Sequence, residues 1–548
     1  VYYKLEAYTA SEKAGKILYQ HNITPTYVSD DPLLNSQHVI LEAARAYSYG
    51  LPYHAALAGV TSAPAELLGL GDRLGKIKEG FDADIVVWDS DPLSLGATPV
   101  QVWIDGAPQF ENPVILKKQY HGPVRPDEAL AEDFDMIEVE GSVAFTGIKY
   151  MYLGDVEVPF EDAVAIAKNG TLVCVGPCKD ELASAAAPTT LRTIRLKNGF
   201  ITPPFTAFGS LLGLVEVRAE HEMQDGPPPK DGISRPVDGL LFGGKQLASA
   251  FEHGVARAVS APGTGSIDAK GVSVGFRTGA KHALEKGAIW KEEMALHYSL
   301  TLNSKTDETP SISSAVGRLR QKLLSAVDGV AKGGTLSESS AEKYEEDTYL
   351  NSVVSGTLPL VLSVHSADTI SSIIRLKFEI EIAMSATSKP GLGPLKIIIF
   401  GGAESHLVAP FLAASNISVI LAPLYSNSIT WDQRRCLSGA PLTNGTTIDV
   451  LLDAGVLVGI SVDEYGGPRN LGLLCGIAYA NSEGRLGMRE ALDLAGKNFD
   501  RMLEFGGTDD PGRDNDGRSE WVVWEGNPLE IGGRVRGLGT LGRTVVWD

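Results

Sequence analysis

A nine-residue string, IVVWDSDPL at residues 85–93, returns as WVVWEGNPL at residues 521–529, an offset of 436. The same landmarks precede each string in the same order. An apolar strand-like run ends in an aspartate (Asp30, Asp463), an asparagine follows (Asn35, Asn470), and a helical pattern then carries an Ala-Leu pair (Ala56-Leu57, Ala491-Leu492), at offsets of 433 to 435. Four ordered landmarks at near-constant spacing predict tandem copies of one large unit, since so long a period is not that of a solenoid. The second copy is expected to be near-complete and the first to be its C-terminal part. The chain opens at Val1 on VYYKLEAYTASEKAGKILY, with neither an initial methionine nor a signal peptide, and reads as a fragment.

Composition narrows the class. The 548 residues are 43% hydrophobic, enough for globular cores and too many for a disordered chain. No apolar run is long enough to span a membrane. Lys+Arg 48 against Asp+Glu 68 leaves a net charge of −20, which argues against nucleic acid as a partner. Four cysteines cannot make a disulfide scaffold. Cys174 and Cys178 in CVGPC lack a second pair at matching spacing, so a zinc knuckle is not expected. The sequons at Asn169, Asn416 and Asn444 are near the chance number and say nothing about compartment.

Residues 111–137, rich in Pro, Asp, Glu and Lys, have no sustained period and are the linker candidate. After them VAFTGI, DAVAIAKNGTLVCVG and LRTIRLKNGFITP, each bounded by Gly, Asn or Pro, predict a small β unit over 138–208. From 209 to 518 apolar strands (ALHYSLTLN, PLVLSVH, KIIIFGG, SVILAP, VLVGISVD) alternate with helical segments, predicting parallel βα units. Residues 519–548 return to strands. Two segments, 222–238 and 333–347, are expected to be irregular loops covering a site, the first because of its Pro and Gly density.

The stretch GVTSAPAELLGLGDRLGKIKEGFDADIVVWDSDPL at 59–93 resembles the C-terminal signature of the amidohydrolase superfamily, in particular its imidazolonepropionase-like members. Gly75, Ile77, Gly80, Asp82, Ala83 and Asp84 stand in register with that signature. The second copy resembles the family more weakly over most of 140–548, and its version of the Gly-x-Asp-Ala-Asp turn has become DGRSEW. The resemblance implies an α/β fold: a (β/α)8 barrel with a composite β-sandwich. Residues 1–110 would be the C-terminal barrel and sandwich portion of another such unit. It also implies hydrolysis of non-peptide C–N bonds in a small molecule by water activated on a divalent metal, zinc first. Histidines and an aspartate at strand ends hold such a metal with an open position, and the aspartate relays the proton.

Position by position, the second copy keeps little of that ligand set. TPPFTAFGSLLGLVE at 202–216 resembles the segment bearing the His-x-His pair, with Gly209 and Leu211 in place of the histidines. In PLVLSVHSADTI the usual ligand is Ser363, and the neighbouring histidine survives as His365. In KIIIFGGAESH the ligand position is Gly401, with His406 five residues on. Asp463 alone is retained. In the first copy NITPTYVSDDPLLN resembles the strand-eight segment, with Asp30 at the ligand and proton-shuttle position.

Asp30 and Asp463 are therefore the catalytic and metal-ligand candidates, and His365 and Ser363 the pocket candidates. Against them stand plainer readings: a helix-capping carboxylate for Asp30 and a hydrogen-bonded structural histidine for His365. His253 and His406 are read as structural. The rival to a metal hydrolase is a non-catalytic pseudo-amidohydrolase that holds no metal in this chain. A third reading is a metal-independent hydrolase using His365 and a nearby carboxylate. Packing of copy against copy and a homodimer are the assemblies expected.

Overall fold

A computed structural model describes residues 4–31, 35–118, 133–154, 158–184, 191–226, 233–263, 270–332, 342–387, 391–462, 467–504 and 517–548. The class is mixed α/β. Strands β1 (Ile85–Trp88), β2 (Pro99–Ile104) and β3 (Ala107–Pro108) form an antiparallel meander. The stretches expected to be strands form β5 (Ser142–Met151), β6 (Val158–Lys168), β7 (Thr171–Gly176) and β8 (Leu191–Thr202), while β4 (Met136–Val139) begins inside the segment expected to be a linker. They combine with β20 (Trp521–Glu525), β21 (Arg534–Thr540) and β22 (Arg543–Trp547) in an eight-stranded sheet ordered β4-β22-β21-β20-β8-β5-β6-β7. Residues from both ends of the second unit thus share one sheet.

Between them lie β9 (Phe205–Phe208), β10 (Ile233–Ser234), β11 (Val255–Ser260), β12 (Lys270–Val272), β13 (Val274–Arg277), β14 (Ile289–Lys291) and β15 (Leu296–Ser299). The series ends with β16 (Leu360–Val364), β17 (Ile397–Gly401), β18 (Ser418–Leu421) and β19 (Val458–Ile460). One sheet is ordered β10-β12-β15-β16-β17-β18-β19 and the other β14-β13-β11-β9. β15 to β19 are parallel neighbours, as the alternation predicts. β12 and β13 are not: they run antiparallel to β15 and β11. The reason is the connection from β11, which spans only 261–269 and is too short for the helical crossover that a parallel return needs.

A single residue, Ser273, separates β12 in one sheet from β13 in the other. At the opposite margin, the Leu494 carbonyl accepts from Ile460 N–H (2.8 Å) and the Ala495 carbonyl from Thr206 N–H (2.8 Å), so residues 494–495 bridge β19 to β9. The two sheets therefore meet at the β19–β9 margin, and are joined again through Ser273 between β12 and β13, each one strand in from its own edge. A continuous ring of paired strands, which the expectation of a barrel called for, is not present among the described residues; the strands form two sheets joined in this way.

Period-2 alternation sorts the strand side chains into two environments. Ala207, Ala258, Leu360, Leu362, Ile397, Ile399, Val419 and Ile460 belong to the large core that packs on the helices. Phe208, Val259, Val361, Ile398 and Ile420 form a separate cluster with Phe499 and Met502, and Phe400 packs against it. Phe499 comes from the helix Lys497–Leu503 and stacks on Phe208 at 5.3 Å. The face opposite the helices is thus apolar and filled.

Residues 35–118 dock onto this body. Ala43, Tyr47, Leu51, Leu93 and Leu95 enter the large core, and each fully buried leucine is worth about 1.5–3 kcal/mol. Part of the segment read as a linker is docked too. Val114 N–H donates to the Pro441 carbonyl (2.9 Å), and Lys118 Nζ is buried between Asp89 Oδ2 (2.5 Å) and the Gly96 carbonyl (2.5 Å). The segment 222–238, expected to be irregular, contains β10 and the single-turn helices His221–Met223 and Pro236–Asp238, with 227–232 outside the described residues. Of 333–347, residues 333–341 lie outside them; the helix Glu346–Val354 begins just beyond.

The meander β1-β2-β3 and the meander β20-β21-β22 share three local features at one offset. Each has a bulge, between Val87/Trp88 and between Val523/Trp524. Each has a side-chain turn, Asp91 Oδ1 accepting from Leu93 N–H (2.9 Å) and Asn527 Oδ1 from Leu529 N–H (3.0 Å). Each has a hairpin residue at positive φ, Asp105 (49°) and Leu541 (54°).

Candidate functional site

The C-terminal ends of β9, β16 and β17 deliver Gly209, Ser363, His365 and Gly401. Ser363 lies in β16 beside Phe400 of β17 and Ser299 of β15, and its carbonyl accepts from Leu300 N–H (2.8 Å). His365 follows β16, and its carbonyl accepts from Glu404 N–H (3.0 Å). Asp463 falls outside the described residues; before it Ser461 and Val462 are buried, and Ser461 Oγ donates to the Phe208 carbonyl.

The glycines at the expected ligand positions explain the most. Gly401 sits at φ 100°, and a Cβ placed there would lie 2.7 Å from His365 Cε1 and 3.0 Å from Nδ1. The imidazole of His365 therefore occupies the space that a side chain at 401 would need. Gly209 sits at φ 69°, and a Cβ there would lie 2.5 Å from the Phe400 ring. Both positions combine a left-handed backbone with a filled side-chain space, so neither admits a histidine without rearrangement. Leu211, the other replaced position, offers no donor atom. A divalent metal does not fit the residues described here.

Polar groups at this end satisfy one another. Glu404, wholly buried, accepts through Oε2 from Ala367 N–H (3.0 Å) and Arg435 Nη2 (2.6 Å), and through Oε1 from Arg435 N–H (2.9 Å). Arg435 also reaches Asp368 Oδ2 (2.9 Å). Burial alone pushes the Glu404 carboxyl up, but the Arg435 bonds and the Ala367 N–H outweigh it and hold it below its ordinary value. The network pins the start of the helix Ala367–Thr387 to the loop after β17. Nothing in the sequence pairs Glu404 with Arg435, which are brought together only by the fold.

His297, in β15, also escaped the motif reading. Its Nε2 is 2.8 Å from Ser273 Oγ, and its ring lies 6.3 Å from that of Phe208. Burial pushes its pKa down to about 3, so it is neutral. The strand alternation of ALHYS is the signal that sets it on the face of Ser299. His406 lies in a single-turn helix, Ser405–Val408, 3.3 Å from Thr447 Oγ1, and burial lowers its pKa. His253 ends the helix Lys245–Glu252, its Nδ1 2.7 Å from the Ser249 carbonyl, and burial lowers its pKa to about 4. Each has a hydrogen-bonding neighbour of the kind expected of a structural histidine.

Asp30 stands apart. The run before it forms no strand; Tyr27 N–H finds the Gly59 carbonyl (3.0 Å), but no neighbouring strand pairs with 23–29, and an unpaired segment does not become a strand. Asp30 itself is exposed on a turn at φ 52°, with no hydrogen bond or ion pair among the described residues. It is not brought together with His365 or Ser363 through any contact seen here. A cavity of about 300 Å3 lies elsewhere, between the N-terminal segment and the body, where Tyr49, His253, Arg469 and Trp524 line it. Cys174 and Cys178 form a disulfide, with Glu181 close by.

Comparison with known proteins gives concordant matches. The sequence profile of the amidohydrolase family matches residues 37–110. The amidohydrolase tasK of Hapsidospora irregularis is 44% identical over 535 residues, covering 92% of this chain and 54% of that protein. The chain thus spans about half the length of that curated relative. The imidazolonepropionase of Pseudoalteromonas atlantica is 41% identical over 64 residues, 11% of this chain and 16% of that protein. Among solved structures, an amidohydrolase from Thermotoga maritima superposes with a TM-score of 0.54 at 18% identity, covering 74% of this chain and 99% of that one, a likeness of fold.

Proposed function

Given that the chain belongs to the amidohydrolase superfamily, we propose that the protein hydrolyses non-peptide carbon–nitrogen bonds in a small molecule, and that the unit formed by 138–548 serves this activity without a metal of its own. The observation that carries the second half is the filling of Gly401 by the His365 ring and of Gly209 by Phe400. A catalytic strand end needs open space for ligands and substrate. This one is occupied by side chains that pack on one another, and its buried carboxylate, Glu404, is fully engaged.

In this reading the two central sheets correspond to a (β/α)8 barrel, bridged through 494–495 at the β19–β9 margin and linked through Ser273, with the eight-stranded sheet as its composite sandwich. Residues 1–110 are the end of a second such unit. The shared offset of bulge, side-chain turn and hairpin supports duplication. Asp30 is the residue this chain offers to a divalent metal, zinc by preference, which when bound supplies an acidified water. The wholly non-catalytic alternative is favoured by the absence of any contact between Asp30 and a histidine among the described residues.

Turnover of cyclic amides and N-acyl amines by the full-length protein tests the reading. Asp30→Asn is expected to lower turnover by at least about a hundredfold, and His365→Ala to leave it within about threefold. Activity lost with His365→Ala and kept with Asp30→Asn would move catalysis to the second unit. Activity indifferent to both would favour the wholly non-catalytic alternative.

A further inference from the structure

A smaller cavity than the one already described, of about 120 Å3, lies where residues 35–118 meet the body. His38, Trp88 and Gly96 line it from one side and Tyr425, Asp449 and Asn481 from the other. The close approach depends on glycine at 96, where a Cβ would lie 2.7 Å from Ala480 Cβ and 2.9 Å from Asn481 Oδ1. Each side contributes one buried polar atom with no hydrogen-bond partner among the described residues, His38 Nε2 and Asn481 Oδ1. Buried polar atoms are ordinarily satisfied, so two orphans on one cavity point to a ligand that meets both. The side chains that carry them are held in place. Asn481 Nδ2 donates to Tyr425 Oη (3.3 Å), and the Tyr425 ring stacks on that of His38 with centroids 6.4 Å apart. Burial lowers the His38 pKa and leaves the ring neutral.

The charge of the lining decides the sign of the ligand. Asp449 lines the cavity, and neither a lysine nor an arginine is among the described residues that do. It is 6% exposed, and Oδ2 accepts from Thr446 N–H (2.8 Å) and Thr446 Oγ1 (2.8 Å), both neutral donors. Arg485 Nη1 stands 4.0 Å from Oδ1. We propose that this cavity binds a short primary alkylammonium ion. Its N–H groups donate to Asn481 Oδ1 and, with the imidazole proton on Nδ1, to His38 Nε2, while Asp449 supplies the counter-charge. The rings of Trp88 and Tyr425 favour a cation, and Leu41 and Ile477 suit its alkyl part. At about 30 Å3 per water-sized group, the volume admits about four heavy atoms. An anion would meet no basic partner, and one carboxylate with one imidazole is a poor set for a divalent metal. The site is separate from the strand ends around Gly401 and does not depend on the hydrolase reading.

The probe is n-propylammonium chloride, titrated calorimetrically into the 548-residue chain at an ionic strength held with sodium chloride. A dissociation constant of about 1 mM or tighter is expected. Tetramethylammonium lacks N–H donors, propan-1-ol lacks the charge and propionate has the wrong sign, so each is expected to bind at least about tenfold more weakly. Amide hydrogen exchange is expected to slow over 36–41 and 438–449 with the amine and to stay unchanged over 363–367. Asn481→Leu and Asp449→Asn are each expected to weaken binding at least about tenfold. Asp449 also caps the helix Thr447–Asp453, so urea unfolding of the variants is compared with that of the parent. His38→Phe leaves that cap intact and is expected to weaken binding at least about threefold. Propylammonium binding no tighter than that of propan-1-ol overturns the proposal, as does tighter binding of propionate. Binding indifferent to both Asn481→Leu and His38→Phe, or protection confined to another part of the chain, overturns it equally. Neither metal nor turnover enters these readouts, so their failure is separable from failure of the hydrolase reading.

Discussion

The two meanders that share a sequence string are held in opposite ways. In the second, β20 sits inside an eight-stranded sheet, Trp521 is fully buried, and its indole Nε1 donates to the Gly170 carbonyl (2.9 Å). In the first, β1 ends its sheet and shows two valines to solvent. The difference teaches that the string specifies a meander with its bulge and turn, and not its burial, which comes from β8 and the sequence around it. The body as a whole follows suit: 138–548 closes on itself, filling even the places where a family member keeps its ligands, while 1–110 is closed only where it touches that body.

The steepest test of this contrast is Gly401→Ala. A Cβ in van der Waals conflict with the His365 ring, on a left-handed backbone, is expected to cost about 2–4 kcal/mol in chemical denaturation. Adding His365→Ala should recover the steric share and leave the backbone share. No cost in the single variant would mean that the site is open and the contrast false.

Acid should act next most strongly, through His297. The unfolded chain takes up a proton at the ordinary value of 6.5 and the folded chain only near 3, so the unfolded state binds more protons as pH falls below 6.5. The stabilisation is full above pH 6.5 and is lost as pH descends toward 3, about 2 kcal/mol between pH 7 and 5. His297→Gln should flatten that slope in unfolding curves at the two pH values. An unchanged slope would show that the strand face around Phe208 is not closed to water.

Smallest is the paired truncation of equivalent valines. Val523→Ala removes two buried methyl groups and is expected to cost about 1.5–2.5 kcal/mol. Val87→Ala, at the matching position, is expected to cost less than about 0.5 kcal/mol. Equal costs would mean that β1 is covered in solution and that the contrast between the two meanders is false.

Much of the architecture was legible in the sequence because it is local. Period-2 runs bounded by Gly and Pro gave β5 to β8, and the amphipathic pattern SAVGRLRQKLLSAVDGVAK became the helix Ile312–Ala331. The antiparallel return at 270–277 was missed because strand direction depends on the length of 261–269, not on the residues of the strand. That Gly209, Leu211, Ser363 and Gly401 stand where the family resemblance places ligands was readable by position. What fills the space there was not, since the His365 ring reaches Gly401 from the neighbouring strand and Phe400 reaches Gly209 from the other sheet. Glu404 and Arg435 are 31 residues apart and meet only when β17 and the loop after β18 are side by side. Asp30 was read as a strand end, and its run lacks the partner strand that would have made it one.

No helix among the described residues is long and apolar enough to cross a membrane. Elemental measurement on the 548-residue chain, after exposure to zinc and exhaustive dialysis, addresses the central claim most directly. The account predicts zinc well below one per chain, because Gly401 and Gly209 are filled by His365 and Phe400 and Asp30 stands alone. One tightly held zinc per chain, lost on His365→Ala, would contradict it.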